Sequence, residues 1–173
     1  MIESLVLTII AADRPGLVER LAACVADHGG NWDESRMCHL GGRFAGIVRV
    51  EVPGDKLTAL RRALHGLEAD GVRIVVESGA GAAGGSGVVA LLDLVGQDRP
   101  GILRTVTRVL AARGVNVEEL SSSCVPAPMG GGELFQAQAR LLVPADVSLE
   151  QVRADLEKIA ADLMVDLKLR PAE

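Results

Sequence analysis

Hydrophobic and polar residues follow a simple order of strands and helices in the first half of this chain. Residues 4–11 are a run of β-branched residues and leucine that ends at turn residues beginning with Asp13, which predicts a buried strand. Apolar residues then recur three and four positions apart until Gly29 and Gly30, which predicts a helix with a glycine stop. The apolar side of this helix consists of Leu17, Val18, Leu21 and Val25.

A hairpin, a second helix and a last strand complete the first half. Residues 32–40 and 44–52 are extended runs joined by Gly41 and Gly42, which predicts a β-hairpin. A second stretch of helical spacing follows, and residues 72–77 predict the last strand. The apolar positions of the second helix are Leu57, Leu60, Leu64 and Leu67.

The second half repeats this order. Its strands are predicted at 88–95, 115–125, 134–143 and 164–169. Its helices carry apolar residues at Ile102, Leu103, Val106, Val109 and Leu110, and at Leu149, Val152, Leu156 and Ile159. The order βαββαβ therefore occurs twice. It predicts the α+β class, with two ferredoxin-like domains in tandem whose antiparallel sheets carry their helices on one face.

The same repeat is visible in individual residues. Asp13-Arg14-Pro15-Gly16-Leu17 returns as Asp98-Arg99-Pro100-Gly101-Ile102, and the offset of 85 (98 − 13) still holds between Asn31 and Asn116. Further along, Phe44 pairs with Phe135 at an offset of 91, so the second copy has a loop-sized insertion. An internal duplication of this length is typical of two structurally equivalent domains.

We therefore predict a first domain at 1–78, a linker at 79–87 and a second domain at 88–173. The linker contains a formal G-x-G-x-x-G at Gly79, Gly81 and Gly84. A dinucleotide-binding fingerprint needs a helix to begin at its last glycine, whereas a strand is predicted here. A flexible interdomain linker is the favoured interpretation.

Composition and charge narrow the class of protein. The chain has 173 residues, a net charge of −5, one Trp, two Phe and no Tyr, so it offers neither a basic surface nor aromatic residues for stacking bases. We expect no direct binding to nucleic acid. The N-terminus has no basic region before a long apolar stretch, so we expect a cytoplasmic protein without membrane contact. Each half has about 80 residues, which is marginal for a lone domain, so we expect it to pack against the other half or against a second chain, and we expect a homo-oligomer.

Neither a metal site nor an active site is predicted. Cys24 and His28 are four residues apart on a predicted helix, but the second half has no equivalent pair, and we expect three reduced thiols and no metal. The βαββαβ order also occurs in small hydrolases, which need an Arg and an Asn around a phosphate-binding loop. Here the turn carries an acid, and no nucleophile–base arrangement is evident, so we expect no catalytic residues and no cofactor.

The duplicated turn is the main candidate for chemistry. A helix N-terminus that follows Pro and Gly leaves N–H groups free for a small anion, such as the carboxylate of an amino acid. Asp13 or Asp98 could accept hydrogen bonds from an ammonium group, and Asn31 or Asn116 could both donate and accept. The structural alternative is an ordinary turn in which Asp13 or Asp98 caps the helix. The residues alone leave both interpretations open.

At these residues the chain resembles the ACT domain family, the small βαββαβ regulatory modules that bind amino acids. The resemblance rests on the Asp-Arg-Pro-Gly-[Leu/Ile] turn, the helix after it and the Gly-x-Asn entry to the next strand, in both halves. It implies that an amino acid binds near the turn, often between two modules. The implied ligand-binding residues are Asp13, Arg14, Pro15, Gly16, Leu17, Val18 and Asn31, with Asp98, Arg99, Pro100, Gly101, Ile102, Leu103 and Asn116.

A tandem pair with no attached domain resembles the glycine cleavage system transcriptional repressor family. The Ala127-Pro128-Met129 loop in the second copy is similar to a loop of that group. The resemblance implies a regulator of amino-acid metabolism that responds to glycine or a similar amino acid and acts through a protein partner such as a DNA-binding regulator. The alternative is an interaction or oligomerisation module that needs no ligand.

Overall fold

The computed structural model describes residues 1–79 and 85–172. The chain divides into two compact units, Met1–Ala83 and Gly84–Glu173. Residues 80–84 of the predicted linker lie outside the described residues, as does Glu173 of the predicted second domain. The exact domain boundaries and the flexibility of the linker stay predictions.

The first unit has the predicted order of elements. It consists of β1 (Ile2–Ala12), α1 (Leu17–Asp27), β2 (Asn31–Leu40), β3 (Arg43–Pro53), α2 (Leu57–Gly66) and β4 (Arg73–Ser78). A short 3-10 helix, Leu67–Asp70, connects α2 to β4. The four strands form one antiparallel sheet in the order β2-β3-β1-β4.

The second unit repeats this order. Its elements are β5 (Gly87–Gln97), α3 (Ile102–Ala112), β6 (Asn116–Pro126), β7 (Glu133–Pro144), α4 (Leu149–Leu163) and β8 (Val165–Pro171). A 3-10 turn, Pro128–Gly130, occupies the loop between β6 and β7. The sheet order is β6-β7-β5-β8. The prediction of two βαββαβ domains with antiparallel sheets is confirmed.

Each unit has its own hydrophobic core between one face of its sheet and its two helices. Alternate residues of β1, such as Leu5, Leu7 and Ile9, are buried against the helices, as the two-residue period of a strand requires. Helix α1 contributes Leu17, Leu21 and Val25 to this core. Val18 is 44% exposed, so its predicted place on the apolar side of the helix was wrong. The buried stripe of α1 is narrower than the sequence pattern indicated.

An ion-pair cluster links the two helices of the second unit. The Arg113 guanidinium, at the end of α3, donates to Asp155 Oδ2 on α4 through Nε at 2.8 Å and Nη2 at 2.6 Å. The ammonium of Lys158 donates to the other oxygen at 3.1 Å. Hydrogen bonds from Lys158 and Arg113 lower the pKa of the Asp155 carboxyl group.

This cluster predicts an acid-sensitive contribution to stability. A carboxyl group with a lowered native pKa stabilises the fold above its unfolded pKa, and that stability is lost as the pH falls through the native pKa. We expect Asp155→Asn to lower the free energy of unfolding at pH 7 and to make it less dependent on pH below about 4. Urea unfolding at several pH values measures both effects. Glu157→Gln, an exposed carboxylate on the same helix, is the control. Equal acid sensitivity in the wild type and Asp155→Asn would contradict the assignment.

Candidate functional site

The duplicated turn ends in a glycine in both units. Gly16 has φ 82° and Gly101 has φ 96°, both in the left-handed region, and each is the N-cap residue of the helix that follows. No side chain caps either helix, so the structural alternative with Asp13 or Asp98 as the cap is wrong. The prolines precede the caps and are not part of the first helical turn. The first N–H groups of α1 and α3 therefore have no side-chain acceptor from the cap residue.

The space beside these glycines is open. A Cβ atom added at Gly16 or Gly101 would have no neighbour within 4 Å. Glycine is therefore needed for the backbone conformation, because a residue with a Cβ strains at positive φ, and not because another part of the unit presses on it. A small ligand could approach the first turn of either helix on this side.

In the first turn, the charged side chains already have partners within the unit. The Asp13 carboxylate lies 3.7 Å from His39 Nε2 on β2. Arg14 extends to the opposite side and donates from Nη2 to the backbone oxygen of Asp70 at 2.8 Å. The Asp70 carboxylate in turn pairs with Arg20. Asp13 and Arg14 are neighbours in sequence but lie against different elements.

The second turn has different partners. Asp98 and Glu133 lie near the Cys124 thiol on β6. Loss of solvent around the sulfur raises the pKa of the Cys124 thiol, and the charges of Asp98 and Glu133 raise it further. The Nε and Nη2 atoms of Arg99 are buried and have no hydrogen-bond partner among residues 1–79 and 85–172. The two copies of the turn thus have the same backbone conformation at their glycines, but their charged side chains have different neighbours.

The two asparagines lie far from the turns. In the first unit the turn follows Ala12. Ala12 pairs with Arg43 of β3, and Arg43 pairs with Leu40 at the end of β2, so the turn lies at the Leu40 end of the sheet. Asn31 is at the start of β2, nine strand residues away, or about 30 Å at ~3.3 Å per residue. Asn116 has the same place at the start of β6. Neither unit therefore brings its own turn and its own asparagine together.

A narrow apolar crevice lies between α3 and β6, and the sequence reasoning missed it. We call it the α3–β6 crevice, and its volume is about 20 Å³. Its one polar lining residue, Thr107, donates its hydroxyl to the Leu103 carbonyl at 2.8 Å and so leaves its methyl group to the crevice. The lining residues are Leu92, Leu94, Leu103, Val106, Thr107, Leu110, Val117, Leu120, Ala137 and Ala139.

The first unit has larger side chains than the second at two positions of its edge strand. Trp32, at the position that corresponds to Val117 (32 + 85 = 117), packs against the first core. Met37 also packs against this core, and its counterpart in the second unit is the exposed Ser122. The exchange of a large for a small side chain at two positions of the edge strand distinguishes the units. That exchange is readable in the sequence once the two copies are aligned on the Asp-Arg-Pro-Gly turns.

Metal-ligand geometry is not found in the described part of the chain. No group of three or more His, Cys, Asp or Glu side chains there could hold an ion. His28 Nδ1 lies 2.8 Å from the Cys24 carbonyl oxygen, and Cys24, Cys38 and Cys124 form no disulfide. None of the helices at 1–79 and 85–172 is long and apolar enough to cross a membrane.

Comparison with known families agrees with the repeat. Residues 3–77 and residues 90–161 each match a model of the ACT domain. Both matches contain a complete turn, and together they span most of the chain.

Individual relatives point in the same direction. The glycine cleavage system transcriptional repressor of Escherichia coli K12 is 24% identical over 161 residues, which cover 92% of this chain and 85% of that protein. A UPF0237 protein of Methanopyrus kandleri is 33% identical over 79 residues, 45% of this chain and 81% of its own. A crystal structure of an unknown protein from Galdieria sulphuraria has a TM-score of 0.86 and 29% identity, and the match covers 100% of both chains.

Proposed function

The chain belongs to the ACT domain family, with two ACT domains in tandem, and we propose that it is a non-catalytic regulatory protein that senses an amino acid. The observation that supports this function is the geometry of the duplicated turns. Each ends in a left-handed glycine, open space and a helix N-terminus without a side-chain cap. Such a terminus favours a carboxylate, because its N–H groups and the positive end of the helix dipole face the ligand.

The residues proposed for binding are those of the turns and the first residues of the helices. They are Asp13, Arg14, Pro15, Gly16, Leu17 and Val18 in the first unit, and Asp98, Arg99, Pro100, Gly101, Ile102 and Leu103 in the second. Asn31 and Asn116, which belonged to the predicted set, are not included, since each lies about 30 Å from its own turn.

The proposed output of sensing is a contact with another protein. The relative in Escherichia coli is named a glycine cleavage system transcriptional repressor, which makes glycine or a similar amino acid the first ligand to test. With a net charge of −5, this chain is poorly suited to bind DNA itself, so a DNA-binding regulator is the proposed partner. A ligand that binds one arrangement of the units better than another would shift the population toward it.

A ligand-independent interaction module is the second candidate, and an exposed apolar surface supports it. On the face of the first sheet opposite the helices, Ile10, Ile47 and Val75 are 44%, 54% and 57% exposed. Thr8 of β1 pairs with Ile47 of β3 on one side and with Val75 of β4 on the other, so the two apolar side chains lie on either side of Thr8 on this face of the sheet. Such a surface favours a protein contact, including one with a second copy of this chain. Light scattering across a concentration range measures whether the chain self-associates.

Thermal unfolding with each of the twenty amino acids tests the sensing function. A ligand at a hundred times its dissociation constant adds about 2.7 kcal/mol to the free energy of unfolding. We expect a rise in Tm with glycine or another small amino acid. No rise with any of them would contradict the proposal and favour the interaction module.

Alanine at the turn glycines locates the site. We expect Gly16→Ala or Gly101→Ala, whichever turn binds, to remove the rise in Tm, because a Cβ at positive φ displaces the first N–H groups of the helix. Each substitution also costs about 1–2 kcal/mol of strain, so the readout is the change on adding ligand. Gly71→Ala is the matched control, since Gly71 has φ 79°, open space and a place outside the turn.

A further inference from the structure

The face of the first sheet that points away from α1 and α2 has an apolar centre, and we call it the outer face of the first sheet. Its middle row contains Thr8 with Ile47 and Val75 on either side. Residues between them and the buried positions alternate along each strand, so every second residue belongs to this face. The neighbouring rows add further apolar residues, namely Ile10, Ala45 and Val6.

The charges on this face are sorted by sign along the strands. On β4, Arg73 lies one row from the middle toward the first turn, and Glu77 lies one row from the middle in the opposite direction. On β3, Arg43 and Glu51 lie two rows from the middle in the same two directions. The end near the turn therefore carries two arginines, and the far end carries two glutamates, at equal distances from the middle row.

These four charged side chains have no partner in the part of the chain that the structure describes. Arg43, Arg73, Glu51 and Glu77 make no hydrogen bond or ion pair among residues 1–79 and 85–172. The other charges on this side of the sheet lie toward β2 and form ion pairs with one another, and they are Asp33, Glu34, Arg36 and Arg49. The unpaired charges are thus the ones that flank the apolar centre.

Such a surface is complementary to a second copy of itself. A two-fold axis that runs across the strands along the middle row reverses the strand direction in the second copy, so rows at equal distance on either side of the middle come together. Arg73 then lies opposite Glu77 of the second copy, and Arg43 lies opposite Glu51. Stacked sheets are ~10 Å apart, which an arginine and a glutamate side chain pointing toward each other can span.

The second sheet does not have a comparable surface. Its corresponding row is polar at all three positions, with Asp93, Gln138 and Lys168. Gln138 donates from Nε2 to Asp93 Oδ1 at 3.0 Å, so these two groups are partners within the unit. The same two-fold contact would place Lys168 against Lys168 of the second copy. The sheet that fits a second copy is therefore the first.

We propose that the chain forms a dimer in which the outer faces of two first sheets stack across a two-fold axis with antiparallel strands. Ile47 and Val75 form the apolar centre, and the pairs Arg73–Glu77 and Arg43–Glu51 join the two copies at the ends of the sheet. An apolar centre with a polar rim is the usual composition of a protein interface. This dimer goes beyond the sensing function and needs no amino acid, so its test leaves that function unaffected.

A substitution at the centre tests whether this face is buried in a dimer. Sedimentation velocity of the full chain without ligand, over a wide range of concentration, should show a dimer for the wild type. Val75→Glu places two carboxylates next to the axis and should leave the chain monomeric. Lys168→Glu, at the corresponding position of the second sheet, is the matched control and should dimerise normally. A wild type that stays monomeric, or a Val75→Glu variant that dimerises as the wild type does, would overturn the proposal.

An exchange of charges tests the antiparallel arrangement, and it uses exposed residues that the fold of the unit does not need. Arg73→Glu alone should weaken the dimer about ten-fold, because the symmetry replaces two ion pairs with two repulsive contacts. Adding Glu77→Arg should restore the dimer, since every pair again has opposite charges. Arg62→Glu makes the same change of charge on α2 and should have no effect. A double variant as weak as Arg73→Glu, or an equal loss in Arg62→Glu, would overturn the assigned contacts.

Discussion

Replacing Leu156 with alanine will lower the free energy of unfolding of the second unit by about 2–5 kcal/mol and leave the fluorescence transition of the protein unchanged. Leu156 is 0% exposed and lies in a core built only from residues of the second unit. Trp32, the single tryptophan of the chain, packs against the core of the first unit. Tryptophan fluorescence therefore reports the unfolding of the first unit, whereas circular dichroism reports both.

The duplication supplies the matched control. Leu64 is the counterpart of Leu156 on α2, and it is also 0% exposed. We expect Leu64→Ala to lower the midpoint of the fluorescence transition in urea and Leu156→Ala to lower only a second transition seen by circular dichroism. If Leu156→Ala moves the fluorescence midpoint as far as Leu64→Ala does, the two units unfold as one cooperative body and this prediction fails.

The order of elements could be predicted from sequence because local signals agree with one another. The run of β-branched residues and leucine in β1 and the turn residues after it predicted the first strand within two residues of each end, and the same signals predicted β5. The width of a buried helix face is not a local property. Val18 is apolar and at helical spacing, yet it lies outside the contact between α1 and the sheet. The periodicity of apolar residues predicts which side of the helix faces the core, but it does not predict which residues at the border of that side are buried.

The candidate site was less predictable because it depends on distances through the fold. Asn31 follows the first helix closely in sequence. It is the first residue of β2, however, and β2 runs from there toward the turn, so Asn31 lies at the opposite end of the sheet. Arg14 donates to the backbone oxygen of Asp70, whereas Nε and Nη2 of Arg99 have no hydrogen-bond partner among residues 1–79 and 85–172, although both arginines follow an aspartate in the same turn. Asp70 belongs to the 3-10 helix between α2 and β4, whereas α4 is followed after one residue by β8.

Alanine at Gly46 will destabilise the first unit by about 1–3 kcal/mol, the usual cost of forcing extra atoms into a packed region. Gly46 lies on β3 directly opposite Met37 of β2. A Cβ at this position would clash with the backbone oxygen of Arg36, and it would lie 2.6 Å from Met37 Cγ and 2.8 Å from Met37 Cα. Relief of the two backbone contacts requires the backbone of β2 to move away from β3. The midpoint of the fluorescence transition in urea measures the loss, since Trp32 is on the displaced strand.

The second unit has alanine at this place, opposite a smaller side chain of its edge strand. Ala137 is the counterpart of Gly46 and pairs with Ser122 where the first unit has Met37. The double variant Met37→Ser with Gly46→Ala copies that arrangement, and we expect partial recovery, because the contact with the Cα atom of residue 37 persists. An unchanged midpoint in Gly46→Ala would show that β2 moves freely.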